Sequence, residues 1–141
     1  MKRKIVSFIS ILATVILCAF CLSSCGGSDA VKAKVVESNQ TLLVIEIEDT
    51  DGKATLRNAM DALKKEKEIS FEADSTGMII SINGQANGGN SYWMLYTSDK
   101  ETSDPNFTYT YGDRTFDFAL LGAQTLIVAK GATYVWTYQT F

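Results

Sequence analysis

The side chains in this sequence best suited to holding a molecule are aromatic. Tyr92, Trp93 and Tyr96 fall close together in the stretch GGNSYWMLYTSD, and Trp136 lies near the far end of the chain. Aromatic groups at this density bury large areas in a small core. Where nothing covers them, they line clefts and bind. Groups that perform covalent chemistry are scarce by comparison. Histidine is absent, which removes the commonest general base and metal ligand together. Ser91, Thr97 and Ser98 offer hydroxyls, but no nucleophile motif surrounds them. Glu46 with Glu48, and Asp49 with Asp51, supply too few oxygens at too wide a spacing for a calcium loop, and read as a solvated strand edge and turn. The glycines between Asn87 and Asn90 precede no helix N-terminus, so a phosphate cradle is not expected there. The expectation is a non-enzymatic protein without a metal, whose candidate ligand-binding residues are Tyr92, Trp93, Tyr96 and Trp136. The competing expectation for each of the four is burial in an ordinary core.

One further residue carries chemistry of another kind. The chain opens with Lys2, Arg3 and Lys4, runs apolar from Ile5 to Leu22, and reaches Leu22-Ser23-Ser24-Cys25. A charged start, an apolar stretch and small residues make a secretory signal peptide. Leucine, two small residues and a cysteine match the bacterial lipobox, in which the cysteine is acylated and becomes the new first residue. Cys18 and Cys21 fit poorly, because Leu17 and Phe20 precede them. The expected organisation is a signal peptide over 1–24, lipidated Cys25 and a flexible tether over 25–40, and a folded domain over 41–141. The protein is then held at the bacterial cell membrane by its lipid, facing outside the cytoplasm.

Processing changes the charge. Of 13 cations and 16 acids, the first 24 residues hold three cations and no acid, leaving a net charge of −6. That balance, with no basic run, argues against nucleic acid. All three cysteines lie at or before residue 25, so the domain forms no disulfide and depends on its core.

The elements that position the aromatics can be read from periodicity. TLLVIEIED sets Leu43, Ile45 and Ile47 on one face and Glu46 and Glu48 on the other, a half-buried strand. A turn at Asp49–Gly52 leads to a helix with Thr55 as N-cap. Its buried stripe is Leu56, Ala59, Met60 and Leu63, and Lys64, Lys65 and Lys67 suit its negative end. Strands follow: SFEAD; GMIISIN, with Met78, Ile80 and Ile82 sharing a face; and the Tyr92–Tyr96 stretch. Next comes a hairpin turning at Gly112-Asp113, with Tyr109 opposite Phe116 and Phe107 opposite Phe118. Two last strands flank Lys130-Gly131; in the second, Tyr134, Trp136 and Tyr138 oppose Thr133, Val135 and Thr137. The fold class is α+β, one helix on a mostly antiparallel sheet. One helix covers only one face. The strand at Tyr92 is apolar on both, with Tyr92, Met94 and Tyr96 on one side and Trp93 and Leu95 on the other. Its second face needs a folded-over hairpin, a ligand or a partner.

TLRNAMDAL, GMIISINGQ, SYWMLYTSD and GATYVWTYQTF, in this order, resemble the bacterial transcobalamin-like C-terminal domain family, a domain of unknown function often borne by exported lipoproteins. The resemblance covers about Thr41 to Phe141. It implies a small β-grasp-like fold and kinship with the smaller domain of animal cobalamin carriers, which covers one side of a bound corrinoid. Tyr92 and Trp93 match a tyrosine–tryptophan pair of that strand, and Gly122 to Thr125 fall at a glycine-led loop. The carriers' large helical domain is missing here, so cobalamin is a ligand by resemblance only. Two functions follow as expectations. One is a lipid-anchored module that captures a small molecule or an exposed macromolecular feature. The other is a structural or adhesive module that docks its aromatic face on a surface protein.

Overall fold

The computed structural model describes residues 30–141; the expected signal peptide and the lipidation site at Cys25 lie outside the described residues. Alternating apolar residues build most of the strands. In β2 (Leu42–Thr50), Leu43, Ile45 and Ile47 are buried on one face and Val44 on the other. It is flanked by β1 (Val31–Ser38) and by β9 (Thr133–Thr140). β9 pairs along its length with β6 (Ser91–Thr97), setting Trp93 beside Tyr138 and Leu95 beside Trp136. The hairpin of β7 (Ser103–Tyr111) and β8 (Arg114–Ala119) completes a six-stranded sheet in the order β1-β2-β9-β6-β8-β7. A second sheet of β3 (Phe71–Ala73), β4 (Ile79–Ile82) and β5 (Gln85–Ala86) lies beside β6. Every pairing between these strands is antiparallel.

Helix α1 (Leu56–Lys65) starts where the sequence reading places it. Asn58 donates its N–H to the Thr55 hydroxyl at 3.2 Å, and the Asn58 side chain accepts the Thr55 N–H at 2.8 Å. The next free donors of the first turn are met from elsewhere: Leu56 N–H by the Leu126 carbonyl and Arg57 N–H by that of Ala123, both at 2.8 Å. Leu56, Ala59, Met60 and Leu63 join one core with Leu43, Ile45, Ile47, Trp93, Leu95, Tyr134 and Trp136.

The second face of the sheet is covered by the sheet itself. Tyr96, Val44, Phe116 and Val135 form a separate apolar cluster with Tyr109, Tyr111 and Phe118 around it. β7 and β1 are opposite edges, yet the Tyr111 hydroxyl donates to the Glu37 carboxylate at 2.7 Å. The sheet is therefore coiled until its two edges meet across this cluster, an extreme of the ordinary strand twist. The folded-over hairpin covers the double-sided strand at Tyr96, while Tyr92 at the start of the same face stays exposed.

Four expectations are corrected. The tether over 25–40 is a strand from Val31, because Val31, Ala33 and Val35 pack on the core while Lys32 and Lys34 pair outward with Glu48 and Glu46. The stretch before Lys130 is not a strand. It makes one bridge, Thr55 with Ile127, and spends its carbonyls on the helix start. Met78 and Ile80 are not buried partners of Ile82; β4 begins at Ile79, and Ile79 and Ile82 are the buried pair. In the hairpin, Tyr109 does face Phe116 around Gly112-Asp113, but a bulge after Asp104 sets Phe118 opposite Asp104 and leaves Phe107 exposed.

Candidate functional site

β8 accompanies β6 only briefly. The two pair at Tyr96 with Phe118 and at Thr97 with Asp117, after which the chain leaves β8 for the helix start. The divergence opens a groove of about 590 Å³ along β6. One wall is the turn before β4, where Asp74 accepts the Thr76 and Met78 N–H groups and is held below the usual carboxylate range by its bonds to the Thr76 hydroxyl and main chain. The other wall is the segment from Leu120 to Thr125. The walls touch at Gly77, where a Cβ would stand 3.0 Å from the Gln124 side chain and where φ is +87°. Glycine meets both demands.

Apolar groups line the groove in the open. Met78 and Leu120 are 58% and 60% exposed, and Tyr92 and Leu121 are nearly half exposed. Trp93 and Trp136 form the buried floor. Polar residues at the rim, Asn87, Gln124, Thr76 and Thr125, are uncharged, and among the described residues no aspartate, glutamate, lysine or arginine lines the groove. The other cavities differ. A larger one, about 800 Å³, between the β1–β2 hairpin and α1 carries Lys32, Asp49, Asp51, Lys65 and Glu66. Another, about 380 Å³, beneath the Tyr111–Glu37 seam carries Glu37, Glu46, Asp113 and Arg114. Charged walls of this kind stay hydrated, whereas an apolar cleft with a few uncharged polar groups suits a ligand.

Three of the four aromatic candidates meet here. The Tyr92 hydroxyl donates to the Gly89 carbonyl at 3.1 Å, which leaves its ring in the groove. Trp93 is fixed twice: its main-chain N–H goes to Asn87 Oδ1 at 2.8 Å and its indole N–H to the Gln85 carbonyl at 2.7 Å. Trp136 is as deeply buried, but its indole N–H has no acceptor. Tyr96 is elsewhere, on the second face against Tyr109 and Phe118, with ring centroids 5.5 and 5.7 Å away. Sequence reasoning missed Met78, Leu120 and Leu121. Their only signal was a large apolar residue placed beside a turn glycine, Gly77 or Gly122.

The hydroxyls considered for catalysis are engaged structurally. Ser98 Oγ accepts the Thr133 N–H and Thr97 Oγ1 the Asp99 N–H, each at 2.9 Å, and Ser91 bonds Thr140 at 2.7 Å. The one buried carboxylate among the described residues, Asp117, is met by Lys100 at 2.6 Å and Ser103 at 3.3 Å, a tie between β8 and the turn before β7. Among the described residues no group of three or more acidic or cysteine side chains is placed to hold a metal, and no helix is long and apolar enough to cross a membrane.

Fold and groove together define, among the described residues, a small α+β domain with an uncharged cleft where β8 parts from β6. Comparison with protein-family models, with curated proteins and with solved structures finds no match.

Proposed function

We propose that this chain is a non-enzymatic binding module, lipid-anchored through Cys25 outside the cytoplasm of a bacterium, that captures an uncharged, largely apolar ligand in the groove along β6. The observation that carries this reading is the groove's lining: exposed Met78, Tyr92, Leu120 and Leu121, in a volume suited to a small ligand, with no charge in a markedly acidic protein. Membership of the transcobalamin-like family belongs to the same proposal. Its support is the order of the four sequence motifs and a single helix held on one face of the sheet, as a β-grasp-like fold requires. On that membership a cobalamin is one ligand to try. A second reading, a module that docks on a surface protein, is favoured by Phe107, which stands exposed on edge strand β7.

The test uses the full chain labelled with 5-fluorotryptophan, which places one fluorine on Trp93 and one on Trp136. Titration with a panel of uncharged apolar compounds and a cobalamin is expected to shift at least one signal saturably, and Leu120→Asp is expected to abolish the shift. If no compound moves either signal, the groove is not a small-ligand site and the docking reading takes its place.

A further inference from the structure

One polar group of the groove has no use within the protein. Trp136 lies on the groove floor and is 4% exposed. Among the described residues, its indole N–H is the one buried side-chain polar group without a hydrogen-bond partner. Buried donors are nearly always paired, because an unpaired one has given up its water for nothing. The neighbours of Trp136 in the sheet offer it no acceptor. Leu43 and Leu95 flank it in register on the two adjacent strands, and both are aliphatic. On its own face of β9, the Tyr134 hydroxyl accepts the Ala129 N–H and the Tyr138 hydroxyl donates to the Ala86 carbonyl. Trp93, on the same floor, is fully served: the Gln85 carbonyl and Asn87 Oδ1 hold both of its N–H groups. The floor thus has one donor to spare, beneath walls that bear exposed Met78, Leu120 and Leu121.

We infer that the ligand of this groove is an apolar molecule with a hydrogen-bond acceptor at its buried end, such as a ketone, ester or ether oxygen, which takes the Trp136 indole N–H. The inference rests on the groove being a binding site, as proposed above, and names its ligand class. An acceptor that leaves water for the floor exchanges one hydrogen bond for another. A wholly hydrocarbon ligand leaves the N–H as unpaired as it is in the free protein. A donor at the buried end is poorly served, since the Gln85 carbonyl and Asn87 Oδ1 already hold the two N–H groups of Trp93. A carboxylate would accept, but between uncharged walls its charge loses hydration without gaining a counter-ion. The N–H is covered in the free protein, so a ligand reaches it by displacing groove side chains. The unbranched Met78 side chain and the Gln124 side chain, which closes the walls against Gly77, are the flexible ones.

The experiment uses the full chain and matched probes in which a methylene group replaces a carbonyl oxygen: acetophenone with α-methylstyrene, and cyclohexanone with methylenecyclohexane. Within a pair the shape is kept and the acceptor is lost. A ketone is better hydrated than its alkene, so their affinity ratio in one protein mixes hydration with the hydrogen bond. Comparing the ratio between wild type and Trp136→Phe cancels the hydration. Affinities are read from the fluorine on Trp93, which both proteins carry. The ketone-to-alkene ratio is expected to fall at least about tenfold in Trp136→Phe. In indole nitrogen–proton spectra of the wild type, the Trp136 proton is expected to move downfield with the ketones and not with the alkenes, a readout that needs no variant to fold. A ratio that does not change, or a Trp136 proton that the ketones leave in place, overturns the acceptor inference but leaves the groove a binding site. So does binding by the alkenes alone. If neither these probes nor the panel above move any signal, both the inference and the binding reading fall.

Discussion

Trp93 and Trp136 are buried to nearly the same degree, 6% and 4% exposed, in the same core, and they differ in one respect. The Trp93 indole donates to the Gln85 carbonyl, and the Trp136 indole donates to nothing. Replacing either by phenylalanine removes the same atoms and leaves a similar void, costing about 1–2 kcal/mol. At Trp93 the change also removes a hydrogen bond and leaves the Gln85 carbonyl without its donor, adding about 1–2 kcal/mol. At Trp136 it removes a buried donor whose desolvation went uncompensated, returning about 1–3 kcal/mol and cancelling most of the void. Trp93→Phe is therefore expected to be less stable than Trp136→Phe by about 2–5 kcal/mol, or roughly 10–20 °C in midpoint for a domain of this size. Thermal and urea unfolding followed by far-ultraviolet circular dichroism measure the difference. Equal losses, or a larger loss at Trp136, would refute the reasoning, because the Trp136 N–H would then have a partner in solution. The comparison also bears on the groove. Trp93 ties β5 to β6 through Gln85, so its replacement is expected to loosen the rim, whereas Trp136→Phe alters only the floor.

Removing the capping hydroxyl with Thr55→Ala is expected to cost about 1 kcal/mol in urea unfolding, and Thr55→Ser to restore most of it. The seam between the sheet edges is expected to weaken at high pH. The hydrogen bond to the Glu37 carboxylate, then desolvation, raise the Tyr111 pKa above its ordinary value, and burial raises that of Tyr134. A raised pKa means stabilisation that is complete below about pH 10, the unfolded value, and lost as pH climbs through the folded one. Tyr111→Phe should flatten part of that alkaline decline in the urea midpoint, leaving the part due to Tyr134; an unchanged decline would show that the Tyr111–Glu37 contact does not hold in solution. Finally, the wild type grown with labelled palmitate is expected to take up lipid and Cys25→Ser to take up none; labelling of the variant would move the anchor elsewhere.

Much of this fold could be read locally. The Thr55 cap and the Leu56, Ala59, Met60, Leu63 stripe give the helix, and the Tyr134, Trp136, Tyr138 alternation gives β9 its faces, because each signal is complete within a few residues. β1 was illegible for the opposite reason. As an edge strand it needs only Val31, Ala33 and Val35 on the core, and its lysines and glutamate make the remainder look like a tether. The residues before Lys130 have strand composition, but what holds them is the helix start, whose unmet N–H groups take their carbonyls. Tyr92, Trp93 and Trp136 could be picked out as large aromatics. Their separation from Tyr96 could not, since it depends on how far the sheet coils.

That coiling also explains why the groove lies where it does. A sheet of this size with one helix has a surplus of apolar surface on its second face, and here β7 and β8 roll over to cover it, closing with the Tyr111–Glu37 contact. Rolling draws β8 away from β6 beyond Phe118, because β8 cannot both follow β6 to its start and turn toward β1. The gap is thus a geometric consequence of burying Tyr96 and Phe116. Burial can be achieved without exposing Met78, Leu120 and Leu121, since serine or lysine at those turn positions would leave the core contacts unchanged. Core packing accounts for the gap; it does not account for apolar side chains on both of its walls, and that unexplained lining is what supports the proposed ligand.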